Sequence, residues 1–282
     1  MPTFKETPPT QIIHEVAMPL FAIDHTGRSL WVSGTAFIVG RGYAVTAYHV
    51  IEDFLARYDF DVTKNEINSF QLLGILSLDG DTRHLPLKMM RIWRRGPLDI
   101  ALMAVGVPAD WPDQHRWKAP MLDLLPPRVG DEIFGFGFAN SSAHELESEI
   151  PQMQLHPRTT TGKVIEVHHL KRDSTRLGFP CFRTNARFDG GMSGGPVFNF
   201  RTGHVCGVIC SSLPPGAQDV EHVSYASSLW PIVGTLIDSV EPPGGEQFPA
   251  MRLFERQEIN ASDLACSSRH ERRWSISTDR KI

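Results

Sequence analysis

The sequence predicts an all-β protein built as two successive strand-rich units. Three observations carry this reading. Short runs rich in Val, Ile, Leu, Phe and Thr recur between turn signals along residues 11–107, the spacing of a barrel or sandwich. A second series of such runs occupies residues 128–240. Between them, residues 108–127 form a Pro- and Trp-rich connection, too long for an ordinary loop and suited to an inter-domain crossing.

Residues 1–10 carry three prolines and polar residues and read as a flexible arm. In the first unit, strands are expected over residues 12–23, 30–39, 43–46, 70–78, 84–93 and 98–105. Gly40-Arg41-Gly42 supplies a turn between the second and third, and a helix is expected over 48–58. In the second unit, strands are expected over 128–138, 160–167, 180–184, 196–200, 204–211 and 222–227. Ser228 then caps an expected helix over 229–240, with Pro231 in its first turn. The breaker cluster Glu241-Pro242-Pro243-Gly244-Gly245 opens an extension, residues 241–282, with a short helix expected near 251–258. Weak periodicity makes that tail either a mobile extension or a packing or partner-docking element.

Composition bounds the function. The chain has 282 residues, 41% hydrophobic and 21% charged, as in a soluble globular protein. A net charge of −4 gives no reason to expect nucleic acid or a membrane as partner. No apolar run approaches the roughly 20 residues of a membrane span. The N-terminal residues lack a basic region followed by an apolar core, so a cytoplasmic location is expected. The cysteines are Cys181, Cys206, Cys210 and Cys266. Cys206 and Cys210 are expected on one strand and one face, about 13 Å apart and too far to bridge. No metal site is expected: adjacent His168 and His169 would point to opposite faces of a strand. Gly135 and Gly137 precede no helix, so no dinucleotide cofactor is expected.

The chemistry concentrates elsewhere. Gly190 to Pro196 sets Ser193 among four glycines, a poor design for packing and a good one for an exposed nucleophile. Glycine permits sharp turns that aim backbone N–H groups at one point. A hydroxyl beside two such donors is half of an acyl-transfer site. The missing half is a base. His49, where a strand ends in Thr46-Ala47-Tyr48-His49, can take the Ser193 proton. Asp99, a lone carboxylate in the apolar run Leu98-Asp99-Ile100-Ala101-Leu102, needs a partner, because burying an unpaired charge costs several kcal/mol. His49 is the natural one.

With these segments in the order His, Asp, Ser, the chain resembles the chymotrypsin-like (trypsin-fold) serine peptidases over residues 10–240. The resemblance implies two six-stranded antiparallel Greek-key barrels, with a C-terminal helix and extension. It implies a serine endopeptidase with His49, Asp99 and Ser193 as catalytic residues, acting on a protein or peptide without a cofactor. The oxyanion hole would be the N–H groups of Gly191 and Ser193. Ser211 matches a family serine that borders the triad and the substrate backbone. The primary pocket would be built from Arg187, Phe188 and Asp189, from Cys210, Ser211, Ser212 and Leu213, and from Val223. Phe188, Cys210 and Val223 suit a small or medium aliphatic residue, and Arg187 an acidic one. Two departures are informative. Val50 stands where secreted animal members carry a cysteine. Met192 stands where zymogens carry the aspartate that binds a freed N-terminal amine, so no amine-triggered activation is expected, as in many bacterial members. The alternative reading is a catalytically silent or partner-gated module of the same fold.

Overall fold

A computed structural model describes residues 2–8, 11–23, 30–57, 71–78, 83–106, 118–144, 152–213, 223–238 and 245–262. The elements in chain order begin with β1 (Thr3–Glu6), β2 (Ala17–Ile23), β3 (Leu30–Gly40), β4 (Tyr43–Thr46) and α1 (Tyr48–Arg57). They continue with β5 (Gln71–Leu78), β6 (Arg83–Arg94), β7 (Ala101–Gly106), β8 (Leu122–Asp123) and β9 (Glu132–Phe138). Next come β10 (Ser142–His144), β11 (Gln152–Gln154), β12 (Pro157–His168), β13 (Cys181–Thr184) and β14 (Pro196–Asn199). The last are β15 (Val205–Leu213), β16 (Val223–Ser228), β17 (Leu236–Ile237), β18 (Phe248–Pro249), α2 (Met251–Glu255) and β19 (Ala261–Ser262).

Two antiparallel barrels result. β2, β3, β4, β7, β6 and β5 form the first, closed by β5 on β2. β9, β12, β13, β16, β15 and β14 form the second, closed by β14 on β9. Closure removes the open sheet edges that short strands would otherwise expose. One apolar core fills the first barrel and continues between the two, through Phe37, Leu76, Leu87, Phe136, Phe138 and Trp230. A smaller core lies inside the second barrel, around Ile133, Phe182, Phe188, Met192 and Ile209.

The ends of the chain differ from expectation. The expected N-terminal arm contains strand β1, which pairs antiparallel with Arg158–Thr161 of β12. The helix expected over 229–240 is a five-residue 3-10 turn, Trp230–Gly234. Ser228 does not cap it: its hydroxyl is buried without a partner among the described residues. Thr235 turns extended and β17 pairs with β18, so sheet pairing overrides helical pattern there. The extension is a packing element through residue 262. Ala250, Leu253, Phe254 and Ile259 are buried, Ile259 bridges to Gly40 of the first barrel, and β19 pairs with β8, which pairs with β15 of the second. Its short helix ends at Glu255. Cys266 and residues 263–282 lie outside the described residues.

Candidate active site

His49 sits in the first turn of α1 rather than at a strand end. The helix forms from Glu, Leu, Ala and Arg around two inward residues, Val50 and Ile51, which are buried. Asp99 lies two residues before β7, outside the strand in which it was expected. There the turn over residues 95–98, closed by Leu98 N–H to Arg95 C=O at 2.8 Å, delivers the carboxylate to α1. Its Oδ1 accepts the backbone N–H of His49 at 2.8 Å, and its Oδ2 lies 2.8 Å from His49 Nδ1. The two bonds fix ring orientation and assign the Nδ1 proton, leaving Nε2 as the acceptor. Burial disfavours the charged imidazole, but the hydrogen bond and charge of Asp99, aided by Asp53 and Glu52, outweigh it. The His49 pKa is raised above its ordinary value.

Ser193 is half-buried at the barrel junction. Its carbonyl accepts the Thr35 N–H at 2.8 Å. Gly34 permits this approach, since a Cβ there would strike Ser193 O and Val50, the neighbour of His49. Gly194, at φ +86°, presses on Thr35, Thr46 and Ala47, two residues from His49. Any side chain there would force the loop off the first barrel. Among the described residues the Ser193 hydroxyl makes no hydrogen bond of its own.

The amides around Ser193 are oriented by their carbonyls. A trans peptide points C=O and N–H in opposite directions. Gly190 C=O accepts the Asn140 N–H at 2.6 Å, which turns the Gly191 N–H away from Asn140. Met192 C=O accepts the Gly195 N–H at 2.9 Å, which turns the Ser193 N–H the other way. Neither of these two N–H groups is engaged by a partner among the described residues. Met192 is fully buried in the second core, and its sulfur accepts the Asp189 N–H at 3.4 Å. An apolar plug thus holds the loop from below.

Thr35 is a site residue that sequence reasoning missed. Fully buried, it receives the Phe138 N–H on its hydroxyl at 3.1 Å and donates that hydroxyl to Gly191 C=O at 2.8 Å. A threonine in a strand carries no signal beyond β-propensity. The neighbouring Gly34 is the available hint.

The residues expected in the primary pocket scatter. Phe188 is packed inside the second core against Gly135 and Ile209, not exposed on a pocket wall. Arg187 forms a two-pronged pair with Asp189, 2.7 Å for each contact, and stacks on Phe4 of β1. Its charge is already answered. Val223 is half-buried at the start of β16. The side chains of Ser211, Ser212 and Leu213 lie outside the described structure, although their backbones pair with β16. Cys210 borders Asp99. Both line one cleft, and β15 carries an extra residue at Cys210. A second bulge falls at Cys206. The two cysteines therefore occupy different cores, contrary to the single face expected from strict alternation. The Cys210 thiol donates to Tyr225 C=O at 3.3 Å, and burial, with the nearby Asp99 charge, pushes its pKa well up.

Beside His49 opens a cleft of about 600 Å³. Pro97, Leu98, Leu177 and Phe179 give it apolar walls, and Arg94 and Arg176 line it as well. Among the described residues no His, Cys, Asp and Glu grouping fits a metal ion.

No curated protein is found with significant sequence similarity to the chain. A similar solved structure, described as the crystal structure of Deg5, is 19% identical, covers 78% of this chain and 87% of its own, and has a TM-score of 0.49. The family comparison is more specific. The trypsin-like peptidase domain matches residues 34–208, the span that runs from the Gly34 contact through His49, Asp99 and Ser193 to β15. That match covers more than half of the sequence and agrees with the double barrel, and the chain belongs to the trypsin-like peptidase domain family.

Proposed function

We propose that the protein is a serine endopeptidase that cuts through an acyl-enzyme, with Ser193 as nucleophile, His49 as general base and acid, and Asp99 as its orienter. The observation that carries this reading is the doubly bonded His49–Asp99 couple beside a glycine-lined serine turn. Ser193 Oγ adds to the scissile carbonyl carbon while its proton passes to His49 Nε2. The Gly191 and Ser193 N–H groups receive the oxyanion, each worth roughly 3 kcal/mol of transition-state stabilisation. The C–N bond breaks as His49 returns the proton to the leaving amine. Water then adds to the ester, again giving its proton to His49, and Ser193 leaves with that proton. These roles follow the triad that serves as a general template for such chemistry.

The substrate backbone would add to β15. Beyond Ile209, whose C=O and N–H are taken by Gly194 N–H and Gly195 C=O, that strand has no partner opposite β16 among the described residues, and an open strand edge takes an extended peptide by main-chain hydrogen bonds. The burial of Met192 supports a site formed without an incoming amine. A fluorophosphonate probe tests the reading: wild type should label and Ser193→Ala should not. Labelling that survives the substitution removes Ser193 as nucleophile.

A second reading, a partner-gated or silent module, has one observation in its favour. The Ser193 hydroxyl is not yet hydrogen-bonded to a base among the described residues, although such bonds often tighten when substrate binds. Failure of the wild type to label, with Ser193 intact and the fold preserved, would select it.

A further inference from the structure

We propose that the cleft beside His49 is an acyl-side subsite selecting an acidic substrate residue, and that Arg176 is the specificity-determining residue. The inference rests on the peptidase reading and goes beyond it by naming a substrate class. The cleft spans His49, Asp99 and Cys210 on one side and Arg176, Leu177 and Phe179 on the other. Cys210 marks where the open edge of β15 begins. A substrate strand antiparallel to β15 runs toward Ser193 as it passes residues 213 to 211. Residues preceding the scissile bond therefore lie over the cleft.

The charges of the lining sort themselves. Asp99 is bonded to His49. Arg94 pairs with Glu52 at 3.0 Å and lies 4.1 Å over the Tyr48 ring. Arg176 is exposed, and among the described residues no carboxylate pairs with its guanidinium. Its position is nevertheless fixed. Asp173 Oδ1 accepts the N–H groups of Thr175, Arg176 and Leu177 at 2.9, 2.7 and 3.0 Å. Those bonds, made to backbone, hold Leu177 buried against the cleft and leave the Arg176 side chain at its rim. A cation unpaired among the described residues, at the rim of apolar walls, matches a peptide with an aliphatic residue near the cut and Glu or Asp within two to four residues before it. A Lys-bearing peptide would meet like charge.

The test uses quenched fluorescent peptides carrying Glu, Gln or Lys at each of those positions. With wild type, kcat/KM for the best Glu peptide should exceed its Gln counterpart about fivefold, the upper range for an exposed pair, and the ratio should shrink with added salt. Arg176→Gln should bring the ratio to about one, and Arg176→Glu should favour Lys. Because the Asp173 turn uses the Arg176 backbone, neither variant removes it. Cleavage without a Glu preference, or a preference unchanged in Arg176→Gln, overturns the proposal and leaves the peptidase reading standing. Binding of the same peptides, fluorescein-labelled, to Ser193→Ala protein reads the subsite without chemistry. If no peptide is cut by wild type, the peptidase reading fails, and equal Kd for the Glu and Gln peptides then overturns the subsite independently.

Discussion

Replacing Thr35 by Val removes one hydroxyl and almost nothing else. The two side chains have nearly the same shape, and the site is fully buried. The hydroxyl has two duties, and the structure separates their consequences. Phe138 N–H has no alternative partner in the ladder. Its opposite residue is Pro157, and the Pro157 C=O already accepts the Thr7 N–H at 3.0 Å. Leaving that buried donor unsatisfied costs about 1–3 kcal/mol. At about 2 kcal/mol, Tm should fall by roughly 4–8 °C for a chain of this size. The second duty is the bond to Gly191 C=O. Without it the Gly191–Met192 peptide can rotate, and the Gly191 N–H loses its aim. Complete loss of one oxyanion donor costs roughly 3 kcal/mol, a factor of 10² or more in kcat. Misalignment should recover part of that, leaving kcat lower by about tenfold with KM little changed, because the donor acts mainly in the transition state. Thr35→Ser keeps the hydroxyl and should keep kcat. The assay is steady-state cleavage of a fluorogenic peptide alongside a thermal melt. A Thr35→Val protein with a lowered Tm and undiminished kcat would show that the residue only supports the fold, and the positioning argument would be lost.

Further predictions concern the same loop and its base. The raised His49 pKa means the imidazole stays protonated, and inactive as a base, to a pH above its ordinary value of about 6.5; kcat/KM should rise with pH through that raised value, and Asp99→Asn should shift the limb to lower pH while cutting kcat by orders of magnitude. The sign for stability is opposite: the His49–Asp99 pair contributes fully below pH 6.5 or so and its contribution is lost as pH rises through the folded value, so an Asp99→Asn deficit in denaturant melts should narrow toward alkaline pH. Met192→Leu, which conserves buried volume, should cost under about 1.5 kcal/mol and keep activity. Met192→Asp would place a carboxylate in an apolar core and should destabilise by about 3 kcal/mol or more. A Met192→Asp protein as stable and active as the wild type would refute the plug.

Local chemistry was legible in the sequence wherever it was periodic or rare. The strand runs, the Gly40-Arg41-Gly42 turn and the two-unit division all announce themselves by pattern, and the double barrel carries them. His49 and Asp99 were pairable because a lone carboxylate among apolar residues demands a cation, and the two are bonded. What failed did so for identifiable reasons. Cys206 and Cys210 share a parity, but bulges at both positions rotate them into different cores, and a bulge leaves no clear mark on side-chain pattern. The helix expected after Ser228 lost to a two-residue pairing with Phe248–Pro249, a partner beyond the breaker cluster. Phe188 was placed by its offset from Ser193, and offset says nothing about which face of the barrel receives the ring.

The deeper omission was Thr35, and it changes what the glycine turn means. A glycine-rich loop has many conformations, and its two N–H groups are useful only in one. Here each neighbouring carbonyl is tied: Gly190 to Asn140, Gly191 to Thr35, Met192 to Gly195, Ser193 to Thr35. Met192 anchors the same loop by burial. Thr35 belongs to the first barrel and the others to the second, so docking of the barrels and orientation of the donors are a single event. The Met192 side chain fills the space beneath the turn with apolar contacts. The order of the turn thus comes from the docking of the two barrels, and the feature most exposed to a small perturbation is therefore not Ser193 but the threonine across the junction.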